Sequence, residues 1–231
     1  HRRGILGKGE ESSSKVNYAA TRQERKDIWY MFIPILSVVT AIFATLTILL
    51  RRKGKSFEGM LCKFISSFGF MSMAFIGFCY RIEEADKLVH PFYFCLVAFG
   101  LLFGLGGDVL LGIKEIAPKY KNKLIALGTF AFLIGHFFYL ASFYKAEPTF
   151  SIIPYIAAFV ITAIIAIIIK AVKMKLDSKM YILCVFYFFV IALCACVSGY
   201  MLYLTRSLTF IITTIASVVF VISDSVLAFV Y

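Results

Sequence analysis

The sequence predicts an all-α, polytopic transmembrane helix bundle with seven spans, and three observations carry that prediction. The chain is 61% hydrophobic and only 16% charged, where soluble domains carry about 25% charged residues. Its apolar residues are gathered into long blocks, and a block of about 20 is what the ~30 Å hydrocarbon core of a bilayer demands of a helix. The basic residues collect in every second connection between blocks. A closed barrel is the other structure that satisfies backbone polar groups in lipid. Its strands would alternate apolar and polar over ~10 residues, and these blocks do not alternate.

In chain order, residues 1–27 are rich in Ser, Lys, Arg and Glu. They contain no apolar core of a signal peptide, so they read as a flexible polar tail. Seven apolar blocks follow, at 28–50, 58–79, 90–112, 123–143, 150–169, 180–204 and 208–231. Residues 28–231 therefore form one transmembrane domain, since no second domain fits in the short connections. The chain starts at His1 and stops at Tyr231 inside an apolar run, which reads as C-terminally incomplete.

The formal charge of +11 invites a nucleic-acid reading, which the charge positions oppose. Arg51, Arg52, Lys53 and Lys55 lie in the first loop, Lys114, Lys119, Lys121 and Lys123 in the third, and Lys170, Lys173, Lys175 and Lys179 in the fifth. The even loops carry only Arg81, Lys87, Lys145 and Arg206. That asymmetry is the positive-inside pattern, which places the odd loops in the cytoplasm and the tail outside. Arg22, Arg25 and Lys26 beside the first span pull the other way. The basic loops suit lipid headgroups, and membrane lipids, not nucleic acids, are the expected partners.

Cys62, Cys79, Cys95, Cys184, Cys194 and Cys196 lie in or at the edge of apolar blocks. With no C-x-x-C and no zinc spacing, they read as small packing residues. The chain shows no G-x-S-x-G, no H-E-x-x-H and no phosphate-cradling glycine loop. One histidine and two aspartates are metal donors in type, but they lack metal spacing. No metal and no cofactor is expected.

The informative residues are those a span should exclude, because a charge at mid-helix costs about 2.5–3.5 kcal/mol on insertion scales. Asp108, Asp224, Lys63 and His136 are such residues. At 1.5 Å rise per residue, Asp108 lies ~9 Å from Lys114, Asp224 ~10 Å from Tyr231, and Lys63 ~8 Å from Glu58. All three fall at one depth in the cytoplasmic leaflet, with His136 nearer the midplane, which points to one buried polar site. Helical spacing sets Thr213 and Ser217 on the face of Asp224, Tyr139 and Phe143 on that of His136, and Tyr187, Cys194 and Ser198 on one face of span six. Gly100, Gly104 and Gly107 allow another helix close to span three. Structural roles compete with chemical ones. The aspartates could serve as ion-pair or hydrogen-bonding groups, Lys63 could reach the interface by its long stem, and His136 could close an interhelical hydrogen bond.

The segments GGDVLLG around Asp108, ALGTFAFLIGHFFYLASF around His136 and FVISDSVLAF around Asp224 resemble the YhhN family of membrane proteins, which includes the lysoplasmalogenases. The resemblance covers about residues 30–231 and extends to motif order: a lysine early in span two, G-D in span three, G-H-x-x-Y in span four and S-D in span seven. It implies an eight-helix membrane hydrolase that cleaves the vinyl ether bond of lysoplasmalogens, with a lysophospholipid as substrate. It also implies Asp108 and Asp224 as the catalytic pair, His136 and Tyr139 as the G-H-x-x-Y residues, and Lys63 as the early lysine. Two departures stand out. Phe64 follows Lys63 where the family often has proline, and the family's eighth helix has no counterpart here.

Vinyl ether hydrolysis begins with protonation of an alkene carbon, which leaves an oxocarbenium for water to attack. Two carboxyls suit that chemistry, one protonated and one ionised. In this reading, His136 and Tyr139 orient water or the glycerol hydroxyl. Lys63 and loop arginines hold the phosphate, and Ser198 and Ser217 support the site. The same Asp and His residues would also serve a proton-coupled transporter or a lipid-binding protein. The Ile, Phe and Lys-rich character suggests a bacterial plasma membrane, with the endoplasmic reticulum as the alternative.

Overall fold

The computed structural model describes residues 31–50, 52–84, 91–114, 116–146, 151–171 and 177–230. The expected tail and parts of the second, fourth and fifth loops lie outside the described residues. The described residues form seven helices: α1 (Met31–Leu50), α2 (Ser56–Glu84), α3 (Pro91–Ile113), α4 (Lys121–Ala146), α5 (Ile153–Ala171), α6 (Ser178–Thr205) and α7 (Leu208–Val230). A 3-10 turn, Pro118–Tyr120, leads into α4. Among the described residues there is no strand. Each helix contains a stretch long and apolar enough to cross a membrane.

The helices outrun their apolar blocks. Arg81, Glu83 and Glu84, read from the sequence as loop residues, continue α2, and α6 begins at Ser178, before the apolar run. Hydropathy marks the stretch that suits lipid, whereas a helix continues into water as long as its backbone bonds can close. Asp177 starts α6 by accepting the Ser178 N–H at 2.9 Å. The α6–α7 connection is very short. Arg206 takes a left-handed backbone (φ 49°) and its N–H reaches the Leu202 carbonyl at 2.8 Å, the hydrogen bond that closes a left-handed helix cap.

Packing runs from α2 through α3 and α4 to α6, which also receives α5 and α7. Helix α1 lies on α2, where Ser66 Oγ donates to the Thr40 carbonyl at 3.2 Å. At the centre of the core is α6: Phe188, Val190, Ile191, Ala192, Val197 and Met201 are all at most 2% exposed. Outward-facing side chains are large and apolar, among them Phe159, Ile167 and Ile182, each 68% exposed. An apolar surface this extensive is foreign to a soluble monomer and suits lipid. The chain is an integral membrane protein.

Helices α3 and α4 run antiparallel and meet through glycine. A Cβ on Gly135 would lie 2.9 Å from the Gly100 carbonyl oxygen, and one on Gly107 would lie 2.7 Å from the Phe132 ring. At Gly100 a Cβ would overlap the ring of Tyr139. Small residues let two backbones approach so that dispersion replaces the hydrophobic drive that lipid does not supply. Gly135→Val should therefore force the helices apart and lower the thermal midpoint in detergent, at a cost of about 1–3 kcal/mol for overpacking. Gly77→Ala, where the added methyl would meet nothing within 4 Å, should leave the midpoint unchanged or slightly higher. Equal behaviour of the two variants would refute this account of the α3–α4 contact.

Candidate active site

Lys63 and Ser67 stand one turn apart on α2, and this spacing aims both at α3. Lys63 Nζ lies 2.5 Å from Asp108 Oδ1, and Ser67 Oγ donates to Asp108 Oδ2 at 2.6 Å. Both oxygens of Asp108 are thus engaged, one by a cation and one by a hydroxyl. The Lys63 and Asp108 side chains are 29% and 20% exposed, so this end of the site is reachable from outside the bundle.

The second carboxyl has a different setting. Asp224, on α7, accepts the phenolic O–H of Tyr187, on α6, at Oδ2. No lysine, arginine or histidine among the described residues forms an ion pair with it. Lys63 and Asp108 are near enough for their charges to bear on Asp224, and Asp108 on Tyr187. The four side chains form one polar unit drawn from α2, α3, α6 and α7.

The closed end of that unit is aromatic. His136 is 8% exposed and stands between Tyr139, Tyr187 and Phe220, with ring centroids 5.7, 6.1 and 4.9 Å away. Its Nδ1 lies 2.7 Å from the Phe132 carbonyl. A carbonyl only accepts, so Nδ1 carries the proton and Nε2 keeps the lone pair in the neutral ring. Phe132 also packs on Gly107, next to Asp108, and on Phe220 of α7 at 6.1 Å. One residue of α4 thereby ties the histidine to both carboxylate-bearing helices.

The residues expected from sequence divide. Lys63 and Asp108 meet directly, Asp224 is held by Tyr187, His136 packs on Tyr187, and Tyr139 joins the site through His136. Ser198 is fully buried and donates to the Ala195 carbonyl at 3.0 Å. It lies eleven residues from Tyr187, about 16 Å of helix rise. Ser217 is half-buried on α7, seven residues from Asp224, about 10 Å along the axis. The structure gathers neither serine to the carboxyls. Two partners were not assigned a role from sequence. Ser67 was detectable as the residue one helical turn after Lys63. Spacing placed Tyr187 on a face of span six with Cys194 and Ser198, but only its contact with Asp224 gives it a role. Among the described residues, no three His, Cys, Asp or Glu side chains gather as a metal would require.

Apolar helices, a lipid-suited exterior and polar groups on four of the helices, an ion pair and a second, phenol-bound carboxyl, define a multi-span membrane protein with an intramembrane polar site. The YhhN family model matches residues 70–230, and the chain belongs to the YhhN family. Asp108, His136, Tyr139, Tyr187 and Asp224 fall within the matched stretch, and Lys63 and Ser67 precede it. No curated protein and no solved structure matches the chain.

The Lys63–Asp108 pair should be energetically coupled. Lys63→Met and Asp108→Asn each leave one ionic group unmatched in a poorly solvated setting, whereas the double variant removes both. A double-mutant cycle on thermal stability should give a coupling of about 1–3 kcal/mol. Additive single effects would show that the pair is held apart in solution.

Proposed function

We propose that this chain is a membrane-embedded ether hydrolase of the lysoplasmalogenase type, cleaving the vinyl ether of a lysoplasmalogen to a fatty aldehyde and glycerophosphoethanolamine or glycerophosphocholine. The observation that supports this most is the unlike setting of the two carboxyls. Lys63 matches the charge of Asp108, whereas Asp224 has a neutral phenol for its partner. A second unmatched anion in a poorly solvated site is costly, which favours Asp224 as the carboxyl that carries a proton.

In this reading Asp224 gives its proton to the alkene carbon remote from the ether oxygen. The C=C π pair forms the new C–H bond, and the positive charge spreads over the adjacent carbon and the oxygen. Asp108, an anion beside this cation, stabilises it and accepts a proton from the attacking water. The hemiacetal then collapses. Its hydroxyl proton passes to Asp224, the C–O bond to glycerol breaks, and the glycerol oxygen takes the proton held by Asp108, so that ether and water become alcohol and aldehyde with Asp224 again protonated and Asp108 again ionised. Lys63 has three N–H donors, and those not spent on Asp108 suit a phosphate oxygen. His136, whose Nε2 keeps a lone pair in the neutral ring, suits the orientation of water. The alkyl chain would lie among apolar helix faces.

The test is aldehyde release from lysoplasmalogen by the purified protein in detergent. Asp108→Asn and Asp224→Asn should each lower kcat by at least about 10²-fold while the protein stays folded and monodisperse. Near-normal turnover in either variant would remove that carboxyl from the mechanism. Solute flux in proteoliposomes, with no product from the parent, would replace hydrolysis by transport.

A further inference from the structure

We infer that Tyr187 is a positioning residue for the acid Asp224, holding Oδ2 so that the transferable proton resides on Oδ1. The inference rests on the hydrolase reading above and extends it to a residue outside the carboxyl pair.

The geometry supplies the argument. The Tyr187 ring is 6% exposed, set in the core of α6 between Phe188 and His136. Its hydroxyl donates to Asp224 Oδ2. An oxygen that accepts this hydrogen bond acts as the carbonyl oxygen of a neutral carboxyl, which leaves Oδ1 as the O–H. When Oδ1 gives its proton to the alkene, negative charge appears on the Asp224 carboxylate. Tyr187 is already aimed at one of the two oxygens that share it. The phenol–carboxylate bond is stronger than the phenol–carboxyl bond, because hydrogen bonds to ionised acceptors are roughly twice as strong as neutral ones. Tyr187 therefore stabilises the transition state more than the ground state, which is the condition for raising kcat and not merely binding. His136 holds the ring from the side: the two are perpendicular, at 87°. The histidine is fixed in turn by the Phe132 carbonyl. The aromatic end of the site thus serves to aim one hydroxyl.

Tyr187→Phe keeps the ring contacts and deletes the donor, so the fold should persist. Two measurements separate this inference from the hydrolase reading. The first is infrared spectroscopy of the full chain in detergent, which needs no turnover. The parent should show a protonated-carboxyl C=O band that vanishes in Asp224→Asn and moves to higher wavenumber in Tyr187→Phe. A band that does not move, or no such band in the parent, would overturn the inference. The second is kinetics on lysoplasmalogen. Tyr187→Phe should lower kcat about 10²-fold, as loss of one preorganised donor does, with KM essentially unchanged. Parallel losses in both parameters, or an unaltered kcat, would overturn the positioning role. A parent without aldehyde release overturns the hydrolase reading instead, and the infrared band then decides by itself whether Tyr187 holds Asp224.

Discussion

The close approach of α3 and α4 is the constraint on which the rest of the site depends. Gly135 faces the Gly100 carbonyl, Gly107 accepts the Phe132 ring and Gly100 accepts that of Tyr139. Lipid tails are as apolar as leucine, so nothing like the hydrophobic effect presses these helices together. Close backbone packing has to do so. Side chains at the glycine positions would widen the gap and carry Phe132 away from Gly107. Because Phe132 also bonds His136 through its carbonyl and packs on Phe220, that movement would loosen the histidine and α7 together.

The polar site is built on this scaffold in two halves with different physics. The Lys63–Asp108 half is partly exposed, and its charges match one for one. The Tyr187–Asp224 half is attached to the most deeply buried helix, and a neutral hydroxyl is its hydrogen-bonding partner. The asymmetry does not arise from the carboxyls, which are chemically identical. It arises from their neighbours: α2 brings a cation to α3, while α6 brings a phenol to α7. In the proposed reaction, that difference separates the acid from the residue that stabilises the cation.

Helix α6 connects the halves to the bundle as a whole. It packs on α4, α5 and α7, and its middle is almost free of lipid exposure. A tyrosine there is held on several sides, and its hydroxyl has little freedom to turn toward water. Helix α5, by contrast, shows Phe159 and Ile167 to the outside and serves to enclose α6.

Seven spans, their order and the helical class were legible in the sequence, because a bilayer demands long apolar blocks and only a helix satisfies the backbone within them. The misplaced ionisable residues were legible for the same reason. Lys63, Asp108 and Asp224 stand out where lipid penalises charge, and rise per residue sets them at one depth. Depth alone does not pair them. That Lys63 and Ser67 close on Asp108 while Asp224 turns to Tyr187 was decided by the tertiary structure, because it depends on how each helix is rotated about its axis and on which helices are neighbours. Blocks apolar on every side carry no amphipathic stripe to reveal either. For this reason α6 and α5 look alike as sequence, yet one is the core and the other faces lipid. Ser198 and Ser217 share a helical face with functional side chains but lie two or three turns away along the axis. Face was readable from spacing, and proximity required the packed bundle.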